Sequence, residues 1–64
     1  MKKGDKARIY KNPITREGPE GIATLQRFIT GVGHWEGETF ELWEVIFEGE
    51  EKAYPRRLSY NDLI

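Results

Sequence analysis

Short stretches of alternating polar and apolar residues, separated by turn signals about every 8–12 residues, constrain the fold of this chain more than any other feature. The first such stretch, Asp5–Tyr10, has Ala7 and Ile9 on one face and predicts a β-strand. Asn12-Pro13 ends this strand, because proline cannot donate a hydrogen bond to a neighbouring strand. Residues 11–21 contain two prolines and two glycines, and we expect them to form a loop.

The clearest strand in the sequence is Glu38–Glu48. Trp43, Val45 and Phe47 lie on one face of it, as expected for a strand with one buried side. Ile46 interrupts the polar face, which indicates that the second side of the strand is also partly covered.

Three further segments complete the pattern. The glycine-rich residues 31–37 suggest a flexible hairpin loop, and Lys52–Tyr54 suggests a brief strand that Pro55 stops. The tail, Leu58–Ile64, is predicted to form one helical turn followed by a last short strand.

The segment Ile22–Thr30 is ambiguous between helix and strand. Its apolar residues fall partly at helical spacing, and Gly31 is a suitable residue to end a helix. In favour of a strand, the segment contains four β-branched residues, and Gly21 would lie in the first helical turn. We expect the strand.

Five short strands in 64 residues predict an all-β fold, namely a closed or nearly closed five-stranded small barrel with a single helical turn near the C-terminus. In it, Ala23 and Leu25 face inward, and a bulge near Gln26-Arg27 brings Phe28 or Ile29 back to the core. A chain of this length is expected to form one domain, residues 1–64. We also expect such a barrel to lack a pocket of about 300 Å³, the lower size of typical ligand sites.

Two motifs, Gly4-Asp5-x-Ala7-x-Ile9 and Gly18-x-x-Gly21-Ile22-Ala23-x-Leu25, resemble the opening of KOW-type and related SH3-like barrel domains. Trp43–Phe47 and Asp62–Ile64 look like the third and last strands of such barrels. The resemblance implies an SH3-like barrel and, for KOW domains, RNA or DNA binding. The chain is also similar to small prokaryotic or phage barrel proteins of unknown function.

The chain departs from these families in two ways. Asn12-Pro13 and a longer loop replace the glycine that follows the first strand of KOW domains. The "ALYDY" segment and paired tryptophan of SH3 domains that bind proline-rich peptides are both absent.

Composition excludes several kinds of chemistry. The sequence has no cysteine, so disulfides, thiolate zinc sites, iron–sulfur clusters and thiol nucleophiles are impossible. His34 is the only histidine, and Gly31-x-Gly33 lacks the third glycine of a dinucleotide loop. We therefore predict no enzymatic activity, no cofactor and no metal. No apolar stretch approaches the roughly 20 residues of a membrane helix. The start of the chain is basic, but the apolar segment of a secretory signal does not follow it. A cytoplasmic location is therefore expected.

Charge is unevenly distributed along the chain. Residues 1–32 hold seven Lys or Arg and three acids, residues 33–51 hold seven Glu and no Lys or Arg, and residues 52–64 hold three basic residues and one acid. If the first and last strands are neighbours, the two basic ends share one flank opposite an acidic hairpin. The opposite charges either attract within the molecule and help to set the strand register, or form contact surfaces for partners.

Candidate binding residues follow from this charge pattern and from the aromatic side chains. On the basic flank, cations contact phosphates and tyrosines stack on bases, and Trp35 is a possible interface anchor in its glycine-rich loop. A cage of Tyr10, Trp35 and Tyr54 around a cation, as in Tudor domains, is a further possibility. The candidate binding residues are Lys6, Arg8, Tyr10, Lys11, Trp35, Tyr54, Arg56, Arg57 and Tyr60.

Three functions are compatible with these features. The leading hypothesis is a non-enzymatic interaction module that docks on a larger protein or nucleoprotein assembly. The alternatives are direct RNA or DNA binding through the basic flank, and a structural subunit that self-associates by pairing acidic and basic flanks.

Overall fold

Four antiparallel strands, hydrogen-bonded in chain order, make up the fold in the computed structural model, which describes all 64 residues. Three neighbouring pairs form the single sheet β1-β2-β3-β4. A short 3-10 turn follows the last strand. The elements are β1 (Lys6–Asn12), β2 (Glu17–Trp35), β3 (Glu38–Phe47), β4 (Ala53–Ser59) and the 3-10 turn (Tyr60–Asp62).

The sheet is not closed, so the predicted five-stranded barrel is wrong, although the all-β class and the helical turn near the C-terminus are confirmed. β1 and β4 are the two edges of the sheet, and the predicted fifth strand is reduced to an isolated bridge between Ala7 and Leu63. The backbone N–H of Ile64 also donates to the carbonyl of Lys6 over 2.9 Å. The other four predicted strands are all present, and β2, with 19 residues, is longer than the sequence predicted.

The core is formed by the inward-facing residues of the strands. Ala7 and Ile9 of β1 and Ala23 and Leu25 of β2 are fully buried, as the alternation predicted. They pack with Val45, which is also fully buried. Burial of apolar surface at about 25 cal/mol per Å² is the main force that stabilises such a core.

The ambiguous segment Ile22–Thr30 is a strand, and its pairing with β3 shifts register between Leu25 and Arg27, which confirms the expected bulge. The bulge returns neither Ile29, which is only partly buried, nor Phe28 to the buried core. This ring is 49% exposed and packs edge-on against Trp43, with 5.7 Å between ring centroids. The reason is that β1 pairs only with the first part of β2, so beyond Leu25 β2 has β3 as its only neighbouring strand and lies at an edge of the sheet.

Two predicted loops are largely strand. The β1–β2 connection is confined to residues 13–16, and the glycine-rich residues 31–35 remain paired with β3. The β2–β3 turn consists of Glu36 and Gly37, both at positive φ (48° and 80°), as a tight two-residue hairpin turn requires. Consecutive bulges, including one between Gly31 and Gly33, allow the glycines to stay in the strand.

Pro55 does not end a strand, because β4 continues through it to Ser59. Pro55 lies opposite Glu44 of β3, and the other side of β4 has no neighbouring strand. An edge strand tolerates proline where the missing N–H would point away from its only partner.

Candidate binding groove

An open groove lies between the two edge strands of the sheet. Its larger part is a cavity of about 620 Å³ between the end of β1 and the middle of β4. The residues that line this part are Tyr10, Lys11, Pro13, Glu20, Leu42, Pro55, Arg56 and Arg57.

A second cavity of about 330 Å³ continues the first, because Lys11, Pro13 and Arg57 line both. Its remaining lining residues are Asn12, Ile14, Val32 and Phe40. We call the two cavities together the β1–β4 groove. The expectation that the fold lacks a pocket of about 300 Å³ is therefore wrong, since an open sheet leaves a space between its edges that a closed barrel would not.

Two cations of this groove have no ionic partner. Lys11 and Arg57 are exposed, and no carboxylate oxygen lies within 4.0 Å of either charged group. Gly18 lies beneath Lys11, since a β-carbon at Gly18 would come within 3.1 Å of the Lys11 side chain. The left-handed φ of 68° at Gly18 is a second reason for glycine there.

Arg56 lines the groove but is already paired. Its guanidinium donates to both carboxylate oxygens of Glu20, over 2.8 and 3.1 Å, and this bond raises the pKa of Arg56. The guanidinium also lies 5.6 Å from the ring centroids of Phe47 and Tyr54. This residue is therefore held by intramolecular contacts, in contrast to its neighbour Arg57.

The structure brings together four of the nine candidate binding residues, namely Tyr10, Lys11, Arg56 and Arg57. The other five are elsewhere. Nζ of Lys6 lies 3.9 Å from a carboxylate oxygen of Glu48, and Arg8 lines a separate hollow with Tyr10. Tyr54 lines a cavity next to Arg56, and Tyr60 lines a hollow with Gly37. Trp35 is 56% exposed beside the β2–β3 turn. The proposed aromatic cage is not assembled, because Tyr10 and Tyr54 line different cavities and Trp35 lines neither.

Several acidic residues of the middle segment pair with basic residues of the first half. Lys6 pairs with Glu48, Arg27 with Glu44, and Arg16 with Glu38. These contacts are the intramolecular alternative that the charge pattern allowed, and they join β1, β2 and the β1–β2 turn to β3 and the residue after it.

A polar cluster around Arg16 was missed by sequence reasoning. Nε of Arg16 donates to Oδ1 of Asp62 over 2.9 Å, and its Nη2 donates to Oε1 of Glu38 over 2.5 Å. Ser59 Oγ donates to the same Glu38 oxygen over 2.7 Å, and Asn61 Nδ2 donates to it over 3.0 Å. These partners are 22 to 46 residues from Arg16 along the chain, so no local sequence pattern predicts them.

This cluster changes the acidity of its members. The hydrogen bond from Arg16, followed by that from Ser59, lowers the pKa of Glu38 from 4.5 to about 2. The same carboxylates raise the pKa of Arg16 above its usual range. The cluster connects distant parts of the chain and is not a ligand site, since its charged groups pair with one another.

No group of three or more His, Asp or Glu side chains is arranged to hold a metal ion. No helix has the length and hydropathy that crossing a membrane requires.

Comparison with known proteins gives no match: no family model, no curated protein and no solved structure is significantly similar to this chain.

Proposed function

We propose that this chain is a non-enzymatic interaction module that docks on a larger protein or nucleoprotein assembly, and that the β1–β4 groove is its contact surface. The observation that carries the proposal is the pair Lys11 and Arg57, two exposed cations without a carboxylate partner that line both parts of the groove. A partner that supplies acidic groups would be attracted to this position and oriented by it.

The apolar part of the groove supports the same proposal. Ile14 and Val32 are 40% and 47% exposed, and they stand beside the buried Phe40 and Pro13. A partner that covers the two exposed side chains removes apolar surface from water, which favours association. Aromatic and apolar residues surrounded by polar ones are the usual centre of a protein interface.

We further propose that residues 1–64 form one domain related to SH3-like barrels, in which the last strand is shortened to the bridge between Ala7 and Leu63. Four antiparallel strands in chain order, a 3-10 turn and a terminal bridge to β1 support this relationship. The KOW-like opening, Gly4–Ile9, supports it independently.

Affinity capture with matched variants tests the docking surface. The tagged chain is compared with Lys11→Glu/Arg57→Glu and with Lys2→Glu/Lys3→Glu, a control that makes the same change in charge at exposed positions outside the groove. We expect the groove variant to recover at least about tenfold less partner than the unchanged chain, and the control to recover as much as the unchanged chain. Equal recovery by all three proteins would contradict the proposal.

Nuclease treatment of the same captures separates the other two functions. Recovery of RNA or DNA without any protein partner supports direct nucleic-acid binding instead of docking on an assembly. Recovery of the untagged chain itself, lost as salt rises, supports self-association through opposite charges.

A further inference from the structure

We infer that the β1–β4 groove binds an extended acidic peptide segment with an apolar side chain at its centre. The apolar side chain enters the half of the groove that contains Phe40, and the acidic groups meet Lys11 and Arg57. This inference names the class of ligand and rests on the proposed function.

The charge of the groove favours an acidic ligand. Glu20 is the one carboxylate among its lining residues, and the bidentate pair with Arg56 neutralises it. Lys11 and Arg57 therefore leave the groove with an uncompensated positive charge, although the whole chain has a formal charge of −1. Both cations lie where the two cavities meet, so an acidic ligand that reaches them occupies both cavities.

The second cavity favours an apolar side chain between the acidic groups. Phe40 is only 3% exposed and Pro13 is buried, and both side chains are apolar. Ile14 and Val32, by contrast, present exposed aliphatic surface to the same space. Full burial of one leucine-sized side chain strengthens binding by about tenfold or more, which is enough to distinguish ligands with and without it.

The position of the groove between two strand edges favours an extended backbone. β1 pairs only with β2, except at its Ala7 bridge, and β4 pairs only with β3. Unpaired edges form backbone hydrogen bonds with an added extended segment. Pro55 removes one donor from β4, so the β1 edge near Tyr10 and Lys11 is the better site for such pairing.

The same observations disfavour nucleic acid as the occupant. Nucleic-acid binding without sequence preference relies on several phosphate contacts and on exposed aromatic faces for stacking. The groove offers two free cations and one partly exposed aromatic ring, that of Tyr10, because the ring of Phe40 is almost completely covered. A single-stranded oligonucleotide is therefore the appropriate competing probe.

Titration of the isotope-labelled full chain with defined peptides, followed by amide NMR shifts, tests the inference. The probe is a blocked five-residue peptide with leucine at its centre and two glutamates on each side. We expect saturable shifts at Lys11, Asn12, Ile14, Val32, Phe40 and Arg57, with a dissociation constant below about 1 mM. Replacing the central leucine by serine is expected to weaken binding by about tenfold or more.

Two controls complete the experiment. Lys11→Gln/Arg57→Gln should lose the binding, whereas Lys2→Gln/Lys3→Gln should keep it, and the spectra of both variants report whether they are folded. A peptide with lysine in place of glutamate should not bind. Absence of saturable shifts, equal affinity for the leucine and serine peptides, or tighter binding of oligothymidine in the groove overturns the inference.

Failure of this inference can be distinguished from failure of the proposed function. If the groove variant loses its partner in affinity capture but the acidic peptide does not bind, the function stands and the ligand class is wrong. If the peptide binds in the groove but capture is insensitive to the groove variant, the peptide site exists and the groove is not the docking surface.

Discussion

Arg16 and Asp62 form an ion pair between the β1–β2 turn and the C-terminal 3-10 turn, with 2.9 Å between Nε and Oδ1. The Asp62 side chain is 2% exposed, and its second oxygen accepts the backbone N–H of Ser59 over 2.9 Å. Immediately after Asp62, Leu63 forms the bridge to Ala7. The Arg16–Asp62 pair therefore holds the 3-10 turn that places the end of the chain against β1.

Arg16→Ala is expected to lower the free energy of unfolding by about 2–3 kcal/mol, because it leaves the buried Asp62 carboxylate without its cation. The loss should be smaller than for a fully buried pair, since the Arg16 side chain is 33% exposed. Urea denaturation measures it. Arg27→Ala is the control, because its pair with Glu44 is exposed and should contribute at most about 1 kcal/mol. Similar losses for the two variants would mean that the Arg16 cluster does not stabilise the fold.

The lowered pKa of Glu38 predicts how the free energy of unfolding depends on pH. Its pKa is lowered from 4.5 to about 2, chiefly by the hydrogen bond from Arg16, so folding favours the charged carboxylate. Its contribution is complete above pH 4.5 and is lost as the pH falls towards about 2. Urea denaturation between these pH values should give a shallower pH dependence for Glu38→Gln than for the wild type. Glu51→Gln, at an exposed position outside any ion pair, is the control, and an unchanged slope in Glu38→Gln would contradict the assignment.

Arg56 and Arg57 are neighbours with opposite expected roles. Arg56→Ala should lower the free energy of unfolding by about 1–2 kcal/mol, because it removes the bidentate pair with Glu20 and uncovers the rings of Phe47 and Tyr54. Arg57→Ala should change it by no more than about 0.5 kcal/mol, since the side chain is exposed and has no ionic partner. Thermal and urea denaturation of both variants provide the comparison. A larger loss for Arg57→Ala would show that Arg57 stabilises the fold through contacts other than ion pairs.

The two tryptophans are also expected to differ. Trp43 is 5% exposed and belongs to the core, so Trp43→Ala should cost about 3–5 kcal/mol. This loss is comparable with the whole free energy of unfolding expected for 64 residues at about 0.05–0.15 kcal/mol per residue. The circular dichroism spectrum of the variant is therefore expected to be that of a largely unfolded chain. Trp43→Phe, a milder change, should remain folded with a lower midpoint. Trp35→Ala should be nearly neutral because the ring is 56% exposed, and a marked loss of stability there would indicate that the end of the β2–β3 hairpin packs on the rest of the domain.

Local features of the fold could be predicted because their cause lies in adjacent residues. Alternation at Ala7 and Ile9 requires only that one face of a strand be buried, and both residues are buried in β1. The bulge after Leu25 and the C-terminal helical turn were likewise predicted, since a register change and a capping serine act over a few residues. For the same reason the all-β class was correct.

Strand ends were predicted less well, because glycine and proline have different effects in different places of a sheet. Gly31 and Gly33 were expected in a loop, yet pairing with β3 keeps them in β2. Pro55 was expected to end a strand, yet it is tolerated because β4 is an edge. Which side of a strand has a neighbour is a property of the whole sheet.

The sequence by itself therefore determined which faces of the strands are buried, and it excluded cysteine chemistry altogether. It also identified Tyr10, Lys11, Arg56 and Arg57 as candidate binding residues without showing that they meet. Only the tertiary structure decided that the sheet stays open, that Arg56 is paired whereas Arg57 is free, and that Arg16 reaches Asp62, 46 residues away. The physical reason is that side-chain alternation depends on neighbours along the chain, whereas ion pairs and grooves depend on distances between residues that only folding brings together.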